Sequence, residues 1–359
     1  MSGYKIKFNG IDRLYNKYSW RLTKRAKQVW KSGQVLQDSY QIELEKTLAE
    51  QYKRKYAIAV GSATDGLYFA LKSLGLNSQS KIVCPVFGYI AMSGAIKRLG
   101  AKPIFVDVDK NGNLGPLSIG LNPDAVLYAN LFGNLVDYEN IKEFCNLRKI
   151  PLIEDAAQSM GAIYKKIPSG KLGDISIFSF DPMKNLPSFG TGGMVLTDSD
   201  KHYKNIISLR RHGFGMKYEY GYNSLISEDH CNQLLFLFGK FKSLQKKRKQ
   251  IASWYFELLP DLNFIRQEET TGIFHKTTIS SYHKLVLLVD KRRDLQKQLE
   301  SHGIETKIHY KRTLDSNNFG RYPNAERLCS NAISLPIYPF LKEEEVEYIC
   351  KTIKLFYGV

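Results

Sequence analysis

Three short stretches of the 359-residue chain place reactive residue types at the ends of apolar runs. AVGSATDGL (59–67) is a small-residue turn between an apolar run and a helical pattern. At such a junction free backbone N–H groups point outward and the helix N-terminus adds positive potential. The amides of Thr64 and Asp65, with the Thr64 hydroxyl, could therefore cradle a phosphate; the same turn also serves as an ordinary capped strand-to-helix connection. IEDAAQS (153–159) follows an apolar run directly. Asp155 there could hold a proton on a pyridine nitrogen and Gln158 could hydrogen-bond a phenolic oxygen, or Asp155 could simply cap a helix. In FSFDPMKNLPSFGTGGMVLTD (178–198), Pro182 interrupts regular structure, Lys184 sits in an irregular loop, and glycines lead into the next apolar run. A lysine beside a strand end can lie in a cleft where desolvation and nearby cations lower its pKa enough for imine chemistry. Ser179 could return to the phosphate. A surface lysine is the alternative, and it weakens because the three stretches occur together in this order.

Positioning these groups requires a scaffold of strand ends. Short apolar runs at 56–60, 81–86, 103–108, 125–131, 151–156, 173–180 and 192–198 read as strands, and helical patterns at 64–75, 90–99 and 137–147 alternate with them. That alternation predicts an α/β sheet whose ligands gather at strand C-terminal ends. The first fifty-odd residues read as helical, with a clear pattern over 35–52. A single helix is expected over about 231–259. Beyond it, SYHKLVLLVD and ETKIHY read as strands around the helix RRDLQKQLESHGI, AISLPIY follows, and EEEVEYICKTIKLFYG closes the chain as an amphipathic stretch. The expectation is a large domain over 1–250 and a smaller α+β domain over 251–359.

Composition narrows the function classes. The chain is 43% hydrophobic and 24% charged, which fits a globular protein with a sizeable core rather than a disordered one. No run of about 18 apolar residues or secretory leader is evident, so neither a membrane span nor export is expected. Five scattered cysteines form no CxxC pair, which argues against a disulfide framework or zinc site. A cytoplasmic location and no metal are the expectations. The net charge of +17 raises nucleic-acid binding, but the basic residues are spread along the chain and no nucleic-acid-binding motif accompanies them. The densest basic run, KSLQKKRK (242–249), shares its expected helix with apolar Leu234, Leu235, Phe238 and Phe241, as a solvated helix face would.

With these motifs in place, the chain resembles the DegT/DnrJ/EryC1/StrS family of sugar aminotransferases, which have the aspartate-aminotransferase-like (type I) fold. The likeness runs through GSATDGL, LGAKPIFVDVD, LFGN, IPLIEDAAQSMGA, GKLGDISIFSF, Lys184-Asn185, GTGGMVLTD, LRRHG, GYNS, GIETKIHY and SLPIYPFL. It implies a large α/β domain with a central mixed sheet, a smaller α+β domain and pyridoxal phosphate (PLP) as cofactor. Lys184 would be the Schiff-base lysine, Asp155 the partner of the pyridinium nitrogen, and Gln158 the partner of the ring hydroxyl. Thr64, Asp65 and Ser179 would hold the phosphate, and Tyr89 would stack on the ring. Asn223 would reach the phosphate from a second subunit, implying a homodimer with shared active sites. His309 and Tyr310 match an element near the sugar pocket, although His309 could equally be structural. The implied reaction moves an amino group from an amino acid, glutamate by family analogy, to C3 or C4 of a nucleotide-linked keto-deoxy sugar. Its product would be an amino sugar for a surface polysaccharide or glycan.

Two positions depart from the family pattern. Ala63 replaces a usual glycine in the phosphate turn, and Leu225 stands where arginine is frequent, removing one cation. Three rival readings remain. A dehydratase on this fold would need histidine in place of Lys184. A non-catalytic regulatory relative would have lost Lys184, Asp155 or Gln158, and a nucleic-acid binder would rest on charge alone.

Overall fold

The computed structural model describes residues 3–214, 220–265 and 278–358. Helices α1 (Ile11–Ser32) and α2 (Ser39–Gln51) precede β1 (Tyr56–Val60), α3 (Ala63–Ser73), β2 (Lys81–Pro85), α4 (Ala91–Arg98), β3 (Lys102–Val106) and β4 (Ala125–Ala129). There follow α5 (Tyr138–Arg148), β5 (Leu152–Asp155), the two-residue strands β6 (Ile163–Tyr164) and β7 (Ile167–Pro168), then β8 (Ile175–Ser179), β9 (Gly193–Thr197) and α6 (Asp200–Arg210). Strands β1–β5, β8 and β9 make a seven-stranded mixed sheet in the order β1-β9-β8-β5-β4-β2-β3. Only β9 runs against its neighbours. The parallel strands therefore deliver Val60, Asp155 and Ser179 to one edge of the sheet, and the start of β9 lies on that same edge.

Strand residues alternate between the two faces. Ile58, Val60, Ile153, Ile175, Ile177 and Val195 pack into a core that includes Leu67, Phe69 and Leu71 of α3. On the opposite face, Ala57, Ala59, Phe178, Met194 and Leu196 meet Leu44 and Leu48 of α2. Helix α7 (Glu228–Phe238) covers this second face through Leu234 and Leu237. Both faces of the sheet are thus covered by helices, as the sequence periodicity implies.

The expected helix over 231–259 is two helices, α7 and α8 (Phe241–Leu258), parted at Gly239-Lys240. Leu234 and Leu237 of α7 belong to the core beneath the large sheet, whereas Ile251, Ala252 and Tyr255 of α8 belong to a core built around the C-terminal strands. Phe241 and Leu244 at the start of α8 still belong to the first core, so α8 runs from one core into the other. That second core surrounds β10 (Phe264–Ile265), β11 (Leu285–Leu288) and β12 (Ala332–Leu335), an antiparallel sheet, with α9 (Arg292–Ser301) and α11 (Glu343–Tyr357) packed on it. Helix α10 (Pro323–Asn331) leads into β12. ETKIHY (305–310) is not the strand expected of it. Lys307 makes a single bridge to Ser334, and the chain then leaves the sheet so that His309 and Tyr310 enter a cleft. The helix expected from Val35 begins at Ser39. No described helix is long and apolar enough to cross a membrane.

Candidate active site

The strand ends gather around a cavity of about 320 Å³, within the range of about 300–1,000 Å³ that suits small molecules. Its lining includes Thr64, Tyr89, Asp155, Gln158, Ser179, Lys184, His309 and Tyr310. Eight of the residues marked by the sequence are therefore in one place.

The first wall is the N-terminus of α3. Ser62 caps the helix by accepting a hydrogen bond from the Asp65 amide at 3.1 Å. Among the described residues the amides of Ala63 and Thr64 have no partner, which leaves two donors and the positive end of the helix facing the cavity. Ala63 is the first helical residue, where a Cβ is no burden. The close approach of β9 does demand glycine: a Cβ on Gly193 would stand 2.7 Å from the Ala63 nitrogen. Ser179, the last residue of β8, completes this wall.

Asp65 is placed differently. Its carboxylate bonds Arg98 at 2.9 Å and accepts from the Ser224 hydroxyl at 2.8 Å, and it does not line the cavity. Its amide is taken by Ser62. Asn223 is exposed and also outside the lining, although its neighbour Ser224 accepts the Gly61 amide at 3.0 Å and so ties this segment to the phosphate turn.

Asp155 ends β5 at the floor of the cavity. It is buried and accepts one hydrogen bond, from the Ala157 amide at 3.0 Å. Burial raises its carboxyl to about 6, against the opposing pull of that amide and of Lys184. Lys184 follows a turn in which its amide donates to the Asp181 carbonyl at 2.9 Å. Buried Asn185 anchors the loop by donating to the Ser281 carbonyl at 2.9 Å, and Asn9 holds the Pro182 carbonyl at 3.3 Å. The surrounding protein pulls the Lys184 ammonium below the ordinary lysine range, while Asp155 and Asp181 act in the opposite direction. A larger share of neutral amine is thus present near neutral pH, as a nucleophile or proton acceptor requires.

Gln158 accepts the Phe132 amide through Oε1 and donates through Nε2 to the Tyr310 hydroxyl, both at 3.0 Å. The Tyr310 ring meets Phe87 edge-on at 5.5 Å, and half-exposed Tyr89 lies 6.4 Å from it. His309 Nδ1 pairs with the Ser334 hydroxyl at 2.9 Å; burial and the cations Lys284, Lys184 and Lys307 push its imidazole down to about 3. It is a neutral imidazole at physiological pH.

Several contributing residues escape a reading by motif. His283 and Lys284 also line the cavity, and His283 Nδ1 meets the Asn185 Oδ1 at 3.2 Å. Their signal in the sequence is faint: a polar pair immediately before the buried LVLL of β11. Glu154, beside Asp155, has a separate structural role on the other face of β5.

Comparison with known proteins gives three further findings. Residues 19–354 match the model of the DegT/DnrJ/EryC1/StrS aminotransferase family. A pleiotropic regulatory protein of Geobacillus stearothermophilus and the UDP-2-acetamido-2-deoxy-3-oxo-D-glucuronate aminotransferase of Pseudomonas aeruginosa are each 30% identical to the chain. The alignments cover 92% of this chain and 92% of the first relative, and 91% and 93% for the second. The crystal structure of a DegT DnrJ EryC1 StrS aminotransferase from Brucella abortus superposes with a TM-score of 0.91 at 26% identity, covering 99% of this chain and 100% of that one.

Proposed function

The chain belongs to the DegT/DnrJ/EryC1/StrS aminotransferase family, and from that premise we propose that it aminates the ketone of a nucleotide-linked keto-deoxy sugar, using PLP and an amino-acid donor. The observation that carries this reading is the meeting, in one cavity, of a lysine with a lowered pKa, a buried carboxylate with one hydrogen bond, and the free first-turn amides of a helix.

The residues present fit the cofactor. The amides of Ala63 and Thr64, the Thr64 hydroxyl and Ser179 would hold its phosphate at the helix N-terminus. Asp155 would face the ring nitrogen, Gln158 the ring oxygen and Tyr89 the ring plane. Bound there, PLP supplies an electron sink for the pair released when the donor's Cα–H bond breaks.

The protein's own contribution is orientation and proton management. Asp155, largely ionised above about pH 6, would keep a proton on the ring nitrogen, and its charge would cost less once that cation faces it. Lys184 would anchor the cofactor and, when displaced, take the proton from the donor's Cα. Tyr310, held by Gln158, and neutral His309 would border the sugar. Ping-pong kinetics follow from two substrates sharing one site. The exposure of Asn223 suits its expected role in a neighbouring active site, and the reading includes a homodimer. Mixing inactive Lys184→Ala and Asn223→Ala dimers under subunit exchange should restore part of the activity.

The deciding experiment incubates PLP-loaded protein with glutamate and a panel of nucleotide-linked 3-keto and 4-keto sugars, with product detection by mass spectrometry. An aminated sugar formed with an equal amount of 2-oxoglutarate supports the reading and assigns the carbon. A loaded protein that aminates no member of the panel with any amino donor contradicts it and favours a regulatory role.

A further inference from the structure

Lys284 is the second lysine of the cleft, and nothing in the chemistry above uses it. It immediately precedes β11, and its amide donates to the Phe132 carbonyl at 3.1 Å. Only 9% of the residue is exposed. Like Lys184, it lines both the main cavity and a small cavity of about 30 Å³. Its ammonium lies 4.7 Å from the centre of the Phe8 ring, and among the described residues it makes no ion pair. A cation–π contact offsets only part of the cost of burying such a charge.

The surroundings intensify the demand for an anion. Lys184, Arg248 and Lys307 all act against the Lys284 charge, and Asp181 supports it. Arg248 is itself buried, and among the described residues its guanidinium meets only carbonyl groups, of Ile337 at 2.9 Å and Tyr282 at 3.4 Å. Burial and these cations push Lys284 down to about 7, so an anion bound beside it would be accompanied by proton uptake near neutrality. The cofactor phosphate already has a cradle at the α3 N-terminus. Leu225 meanwhile occupies a position where the family resemblance implies an arginine. The chain therefore has one cation fewer for its substrates and one buried, unpartnered cation next to the reacting lysine.

We infer that Lys284 binds a carboxylate of one of the two substrates, fixing it beside Lys184. The inference rests on the proposed transfer reaction, in which every amino-acid donor brings a carboxylate on the carbon that loses its proton. A sugar oxidised at C6 is the other source of the same group. The contact is a charge-assisted hydrogen bond from Nζ to the carboxylate oxygen. It positions the substrate and takes no part in bond making.

The test compares PLP-loaded wild type, Lys284→Met and Lys284→Arg. Calorimetry measures binding of maleate, a dicarboxylate without an amine, and of UDP. Single-turnover absorbance follows the glutamate half-reaction, then amino transfer to a 3-keto sugar carrying either a carboxylate or a hydroxymethyl at C6. If the donor is the source, Lys284→Met weakens maleate and glutamate binding roughly tenfold or more, the scale of one lost hydrogen bond to a charged group. Lys284→Arg recovers most of that loss, and UDP binding is unaltered. If the sugar is the source, the same loss and recovery are confined to the C6-carboxylate sugar. Two results overturn the inference: unaltered binding of maleate, glutamate and both sugars, or an equal loss for UDP, which would put a diphosphate there. A wild type that transfers no amino group overturns the proposed function instead, and calorimetric binding of maleate and of the C6-carboxylate sugar still decides Lys284.

Discussion

Glu154 and Asp155 are adjacent carboxylates on β5, and the strand turns them to opposite faces. Glu154 is wholly buried and saturated. It accepts from Asn130 Nδ2 at 3.0 Å, from the hydroxyls of Ser169 and Ser176 at 2.7 Å, and from the amides of Gly170 and Leu172. Arg54 reaches into the same network through Ser176 and the Gly170 carbonyl. Asp155 has a single amide donor and a cavity in front of it. One carboxylate locks the segment 169–172 against the sheet. The other is buried with one donor to offset its desolvation; burial raises its pKa to about 6 and lets it respond to what enters the cavity. Equal chemistry at consecutive positions thus gives a structural anchor and a functional group, decided by how many donors the fold supplies.

The largest effect expected from breaking the cavity side is that of Lys184→Ala. Amino transfer should fall by about four orders of magnitude or more, because the residue is both anchor and proton acceptor; steady-state assays check this, with a cooperative unfolding transition of the apoprotein as the control for folding. On the structural side, Glu154→Ala should cost about 3–5 kcal/mol of stability, since it orphans several buried donors together. Urea denaturation measures it. Glu154→Gln, which keeps the shape and part of the bonding, should lose less.

Asp155→Asn should separate the two roles of that residue. Activity is expected to drop by about 10²–10³, while the apoprotein gains on the order of 1–3 kcal/mol at pH 7.5. The sign follows from linkage. Asp155 has a folded pKa of about 6 against an ordinary value of 3.8, so its favourable contribution is complete below pH 3.8 and lost as pH rises through 6. The advantage of the asparagine variant should therefore vanish near pH 4 and be full above about pH 7. Unfolding curves at several pH values test this. The smallest effect is that of Ser179→Ala, which should weaken PLP binding several-fold, about 1 kcal/mol, and leave apoprotein stability nearly unchanged.

The contrast also explains what could be read in the sequence. The strands of the large sheet were legible because apolar runs of five or so residues bounded by turns have few alternatives; their order in the sheet was not. The cavity groups Thr64, Asp155, Ser179 and Lys184 were legible because each follows such a run and therefore sits at the functional edge of the sheet. Glu154 was not, since its partners come from 130 and 169–176 and only tertiary folding assembles them. Asp65 is the converse case: its place in the phosphate turn marked it, but Arg98 and Ser224 draw its carboxylate out of the cavity. Lys284 lies in an unremarkable polar pair until β11 carries it under Phe8 and beside Lys184.

The most direct test of the central claim is the visible absorption spectrum of purified protein reconstituted with PLP, compared with Lys184→Ala and Glu154→Gln. Wild type should show a visible cofactor band that glutamate discharges, Lys184→Ala should show no such band, and whatever Glu154→Gln remains folded should retain it. A wild type that stays colourless with excess PLP, or a Lys184→Ala variant with the same glutamate-sensitive band, would contradict that claim.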